Sequence, residues 1–119
     1  MTLTTIDDKG VPNTREMLKA GLDGMDKIWF TTNTSSRKVG EISKNENACV
    51  YIFSRIPFQG ITIQGRIKII DDMEKKKKIW KKAYYEYYKK GVEDPDYTVL
   101  LFEIDNIVYY CNQKTYKIK

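Results

Sequence analysis

The sequence predicts a mainly β domain in which roughly six to seven antiparallel strands form a small barrel with two peripheral helices. Two observations carry that prediction. Residues 61–69 alternate apolar and polar side chains without a fault, the period of a strand with one face on a core. Strand-like runs also succeed one another across short turns marked by Gly10, Pro57 and Asp94-Pro95-Asp96, and short turns join neighbouring strands antiparallel. The 119 residues allow a single domain, 1–119, with one core.

Residues 2–7 are a β-branched first strand, and Asp7-Asp8-Lys9-Gly10 turns the chain, Gly10 supplying the positive φ. The second strand is expected over 11–19, with Pro12 near its start, where a missing N–H is tolerated. Residues 20–24 are expected to turn, and 27–32 form the third strand. Ser35 or Ser36 is a good N-cap for a helix over 37–44. The dense apolar run 48–53 and the alternating run 61–69 are the next strands. From a cap at Asp71 or Asp72, a second helix is expected to reach about Lys90, where Gly91 ends it. Residues 98–104 and 107–111 are expected to close the sheet as a hairpin around Asp105-Asn106.

The chain has no histidine. This removes Ser-His-Asp and Cys-His catalysis, His-containing zinc sites and the side chain best suited to proton transfer at neutral pH. Cys49 and Cys111 have neither metal-ligand nor redox spacing, so buried reduced thiols are expected. No apolar run approaches the roughly 20 residues of a membrane span, and the N-terminus lacks a secretory pattern, so no membrane association and a cytoplasmic location are expected.

Eight lysines between positions 75 and 90 dominate the net charge of +5. At helical spacing they alternate with Met73, Trp80, Tyr84 and Tyr87, which makes them the solvated face of an amphipathic helix. No strand pair rich in arginine and aromatic residues is present, so nucleic acid is not the expected partner. Tyr84, Tyr85, Tyr87 and Tyr88 have two readings. One or two rings line a pocket, or Tyr84 and Tyr87 pack with Trp80 while Tyr85 and Tyr88 lie nearer the surface; packing is the expected one.

The stretch 29–38, Trp-Phe-Thr-Thr-Asn-Thr-Ser-Ser-Arg-Lys, carries the chemistry. An apolar strand ends in hydroxyl side chains, a helix N-terminus and two cations, Arg37 and Lys38. Hydroxyls, free backbone N–H groups, a helix dipole and formal charge converge there, and a phosphate is their natural ligand. The residues alone fit equally a plain strand-to-helix turn bearing a solvated Arg-Lys pair.

Further motifs share one order and spacing: Asp7-Asp8-Lys9-Gly10-Val11-Pro12, then Arg15-Glu16-Met17, Trp29-Phe30-Thr31-Thr32, Ser36-Arg37-Lys38, Asn45, Gly65, Trp80, Gly91 and Asp94-Pro95-Asp96. In these the chain resembles the FMN-binding split β-barrel proteins related to pyridoxamine 5′-phosphate oxidase, and specifically their general-stress-protein branch. The resemblance implies a homodimer with FMN at the subunit interface and a small-molecule substrate. It implies that Arg15 and Lys38 meet the FMN phosphate, helped by Ser36, Arg37 and the hydroxyl of Thr32, with Thr31 beside it. The backbone of Arg15, Glu16, Met17 and Leu18 is implied to run along the isoalloxazine ring.

Three departures argue against the pyridoxamine phosphate reaction itself. Ala20 stands where the oxidases carry a lysine five residues after the arginine. Gln59-Gly60 stands in place of an Arg-Gln pair, so Gln59 is a displaced flavin contact or that contact is absent. The chain stops at Lys119 without an arginine-containing closing segment, and it starts at the first strand where relatives often have a helix. The expected function is therefore an FMN-dependent oxidoreductase of another small molecule, or a flavin-binding module without turnover.

Overall fold

β-Branched and aromatic runs take the strand positions that their alternation dictates. The computed structural model describes residues 1–119. The order is β1 (Thr2–Ile6), β2 (Pro12–Glu16), β3 (Lys19–Asp23), β4 (Lys27–Asn33), α1 (Arg37–Lys44), β5 (Asn47–Ser54), β6 (Gln59–Ile70), α2 (Met73–Ile79), β7 (Tyr97–Cys111) and β8 (Lys114–Lys117). All eight strands form one antiparallel sheet, ordered β2-β1-β5-β6-β7-β4-β3, with β8 beside β7. The end strands β2 and β3 do not pair with each other, so the sheet curls into a barrel that stays split.

β7 is the spine. Its first half pairs with β4 and its second half with β8, while β6 runs along its other edge. The hairpin expected at Asp105-Asn106 is instead a bulge within this continuous strand: Gln64 faces Asn106, the next residue Gly65 faces Ile104, and Asp105 is the extra residue. A bulge bends a strand without ending it. Gly65 makes this one possible, since a Cβ there would overlap the Glu103 carbonyl oxygen. Arg66 clasps Asp105 through Nε and Nη2 at 3.3 and 3.2 Å. The chain reverses later, at Asn112 and Gln113, both at positive φ.

Two other expectations change. Residues 19–23 form a strand paired with β4 rather than a turn over 20–24, so the expected second strand is two, kinked at Met17-Leu18. The long second helix stops at Ile79; Trp80 and Lys81 are extended, and a 3-10 turn follows over Lys82–Glu86. A continuing helix would stack Lys77 over Lys81 and Lys78 over Lys82, and like charges four apart destabilise a helix. The break also lets Trp80 pack against Tyr84, Tyr85, Tyr88 and Tyr97, with ring centroids 5.0–6.2 Å away. Aromatic burial thus outweighs helical periodicity here. Tyr85 is exposed as expected, but Tyr87 is exposed and Tyr88 buried, the reverse of the expectation for that pair. Lys76 is not on the solvated face either, its ammonium lying 5.2 Å from the centre of the Tyr97 ring.

Two apolar clusters flank β4. Ile28 and Phe30 join Leu3, Val50, Ile67, Leu100 and Phe102 inside the barrel. Trp29 points to the other side and meets Tyr88, Tyr97 and Val99 under the broken helix. Alternation along one strand therefore serves two cores.

Candidate functional site

β4 ends where these clusters meet, and the loop after it is tied down from a distance. Asn33 Nδ2 donates to Asp96 at 2.6 Å, Ser35 N–H donates to the same carboxylate at 2.8 Å, and Thr34 N–H donates to the Asp96 carbonyl at 2.9 Å. These donors, Asn33 first, hold the Asp96 carboxyl below the usual carboxylate range. The Thr34 hydroxyl is spent on the Pro95 carbonyl and on Thr98.

The clamped loop delivers Ser36, one of the two expected candidates, as the N-cap of α1. The cap is atypical, because the Ser36 side chain makes no bond to the helix. Its Oγ is buried and has no hydrogen-bond partner. Buried hydroxyls rarely stay unpaired without a reason.

Two residues further on, the same helix carries the cation Lys38, which has the cation Arg15 in electrostatic range. Lys38 Nζ donates to Thr32 Oγ1 at 2.8 Å and forms no ion pair. Burial pushes this ammonium below the usual lysine value of 10.5, and the Arg15 guanidinium pushes it the same way. A half-buried ammonium next to a like charge, with a helix N-terminus and an orphan hydroxyl nearby, is electrostatically incomplete. An oxyanion would complete it. This donor set fits a phosphate group.

The Lys38 corner opens into a cavity of about 400 Å³. Glu16, Met17 and Leu18 form one side, at the kink between β2 and β3, and Thr31 and Thr32 of β4 form the floor. The opposite wall is Tyr84, Tyr87 and Tyr88 with Lys81, all from the segment that broke away from the helix. Lys81 is fixed by donating to the Ala20 carbonyl at 3.1 Å. The pocket reading of the tyrosines, which spacing did not favour, therefore describes three of these rings, although Tyr84 and Tyr88 also pack with Trp80.

Of the residues singled out from the sequence, Glu16, Met17, Leu18, Thr31, Thr32 and Lys38 line this cavity; Arg15 does not line it but is close enough to Lys38 to act on its charge, and Ser36 caps the helix that carries Lys38. Two do not join them. Arg37 turns away, donating to Asn13 Oδ1 at 3.2 Å with its guanidinium near Asp7 and Glu41. Gln59 sits at the start of β6 and accepts from the Tyr109 hydroxyl at 2.6 Å, in a separate part of the molecule. Sequence reasoning missed Lys81, hidden in a lysine run. It also passed over the anchoring role of Asp96, although the Asp-Pro-Asp turn was visible.

A family profile described as "Pyridoxamine 5′-phosphate oxidase like" matches residues 1–118. The chain belongs to this family. Within it, the chain is similar to general-stress-protein members. A Clostridium acetobutylicum protein related to general stress protein 26 of B. subtilis, of the pyridoxinephosphate oxidase family, superposes with a TM-score of 0.90 at 35% identity, over 99% of this chain and 83% of that one. A Nostoc punctiforme pyridoxamine 5′-phosphate oxidase-related, FMN binding protein shares the fold, with a TM-score of 0.74 at 15% identity over 99% of this chain and 86% of that one. The pyridoxine/pyridoxamine 5′-phosphate oxidase of Legionella pneumophila is 34% identical over 70 residues, 59% of this chain. That match spans about a third, 32%, of the Legionella enzyme. The family's split barrel accounts for the unpaired end strands β2 and β3, between which the cavity kink lies.

Proposed function

We propose that this chain is a cytoplasmic flavoprotein that binds FMN by its phosphate at Ser36, Lys38 and Arg15 and serves an oxidoreductase acting on a small molecule other than pyridoxamine phosphate. The observation that carries the reading is the buried, unpartnered Ser36 Oγ at the N-terminus of the helix whose Lys38 ammonium has no counter-ion. Bound FMN supplies the electron-transfer chemistry. The chain's own groups bind and orient: Ser36, Lys38 and Arg15 for the phosphate, the Glu16–Leu18 kink and Thr31 for the ring, and the tyrosine wall to exclude water. Cations near a flavin also favour its anionic reduced form. The direct test is titration with FMN, for which quenched flavin fluorescence is expected; no binding at high micromolar concentration would remove the reading. Reduction of the loaded protein by a pyridine nucleotide, followed by reoxidation by a small acceptor, distinguishes an enzyme from a binding module.

The charge state of Lys38 sets a pH dependence. Its folded-state value is depressed, so between that value and 10.5 the unfolded chain binds more protons, and ligand-free stability rises with pH across that window. A phosphate dianion favours the charged ammonium, so FMN affinity is expected to fall over the same alkaline window. Titrations from neutral pH to about 10 should show that fall for wild type and a flatter profile for Lys38→Gln; equal profiles would place the proton elsewhere.

The same reading includes a homodimer with FMN at its interface. Leu18 beside the cavity is 77% exposed, and Ile56 and Phe58 are 87% and 60% exposed. Phe58 packs edge-on between Phe53 and Tyr110 in an open aromatic cluster near Gln59. A symmetric partner would cover this surface and bring its own Gln59 towards the flavin. Sedimentation should report a dimer for wild type, and Phe58→Asp should shift it towards monomer with weaker FMN binding. A wild-type monomer at all concentrations that still holds FMN tightly would sink the dimer.

A further inference from the structure

We propose that Glu41 is a positioning residue for the cradle, holding the Arg15 guanidinium and the first turn of α1 in one fixed relation; this rests on the phosphate reading above. Glu41 is 7% exposed, and its carboxylate accepts from Thr5 Oγ1 at 2.9 Å, Asn13 Nδ2 at 2.7 Å and Arg15 Nη2 at 3.3 Å. Its donors therefore come from β1 and β2, while its own backbone is α1. Arg37, one turn earlier on the helix, adds its Nε at 3.7 Å.

Docking α1 does not require a charge at this position. The neighbouring Ile42 already buries the helix on the barrel core. A buried carboxylate and its partner cation are seldom more stabilising than an apolar pair of the same volume. What the charge does is fix a guanidinium. Arg15 Nη1 donates to Thr5 Oγ1 at 2.6 Å, and the Thr5 hydroxyl donates in turn to Glu41, so Arg15, Thr5 and Glu41 close a ring of hydrogen bonds. Thr5, the bridging member of that ring, is fully buried. Within the chain, Arg15 Nε–H has no partner, so one edge of the fork is held and another is left for a ligand. Glu41 lies on the same short helix as Ser36 and Lys38, so the ring also sets where those two stand relative to Arg15. A fork ordered before binding loses less freedom when the anion arrives.

The test compares FMN with riboflavin, which lacks the phosphate, in wild type, Glu41→Gln, Arg15→Ala and the double variant. Folding of each is checked by thermal unfolding. Glu41→Gln is nearly isosteric and should lower the preference for FMN over riboflavin about tenfold, yet change it less than about twofold once Arg15 is absent. A folded Glu41→Gln protein whose preference is unchanged or increased overturns the proposal, because Glu41 is then only a counter-charge. Should Glu41→Gln fail to fold, Thr5→Val removes the bridging hydroxyl and should lower the preference about threefold; no change there overturns it equally. A flavin-free readout keeps the two readings apart. The Arg15 Nη–H resonances, held by Thr5 and Glu41, should be separately resolved and slowly exchanging in wild type and averaged in Glu41→Gln, and equal order in both refutes the positioning role. Wild type binding FMN no better than riboflavin would defeat the phosphate reading, with the Arg15 resonances still deciding Glu41.

Discussion

FMN affinity is expected to fall roughly 10- to 150-fold in folded Lys38→Ala and in folded Arg15→Ala, while riboflavin affinity hardly moves. A hydrogen bond to a charged group is worth about 1.5–3 kcal/mol, and each 1.4 kcal/mol is about a factor of ten in binding. Lys38 should sit towards the upper end, since it is half-buried, unpaired and held by Thr32. Charge reversal, Lys38→Glu, should be worse than neutralisation, because a carboxylate facing a phosphate adds repulsion to the lost contact. The control is Lys77→Ala on the exposed face of α2, which should leave affinity within about threefold. If folded Arg15→Ala and Lys38→Ala both bind FMN as wild type does, the cradle has been assigned to the wrong residues.

Phe102→Ala is expected to cost about 3–5 kcal/mol of stability, read from denaturant unfolding. Phe102 is fully buried at the centre of β7, opposite Ile28 of β4 and Ile67 of β6. Truncation leaves a cavity that three paired strands cannot collapse to fill. A domain of this size has only about 5–15 kcal/mol in total, so the variant should be near the limit of folding. A loss below about 1 kcal/mol would mean that the barrel interior is far more plastic than its packing indicates.

The sequence reading was most accurate where one period acted alone. The alternation in β6 and the eight-residue α1 appear at nearly the expected positions, because neither competes with a second signal. The readings that changed all involve a local pattern overridden from elsewhere. Residues 73–90 have a helical stripe, but burial of Trp80 among four tyrosines and the crowding of lysines broke it. Asp105-Asn106 is turn chemistry, yet β6 continues alongside and absorbs the extra residue as a bulge. In the site, Ser36 and Lys38 were legible because they lie two residues apart in one short motif. Glu41 and Lys81 were not, since their importance depends on strands paired with residues far away in the chain.

The anchoring of residues 33–35 by Asp96 also has a consequence for biosynthesis. Those contacts join positions 61 to 63 residues apart. During synthesis the strand, the loop and α1 emerge long before the residue that fastens them. Such long-range closure belongs to the late, slow part of folding. Flavin binding at the proposed cradle would therefore await completion of most of the chain, and a nascent polypeptide truncated before Asp96 should capture no flavin even though Arg15, Ser36 and Lys38 are already made.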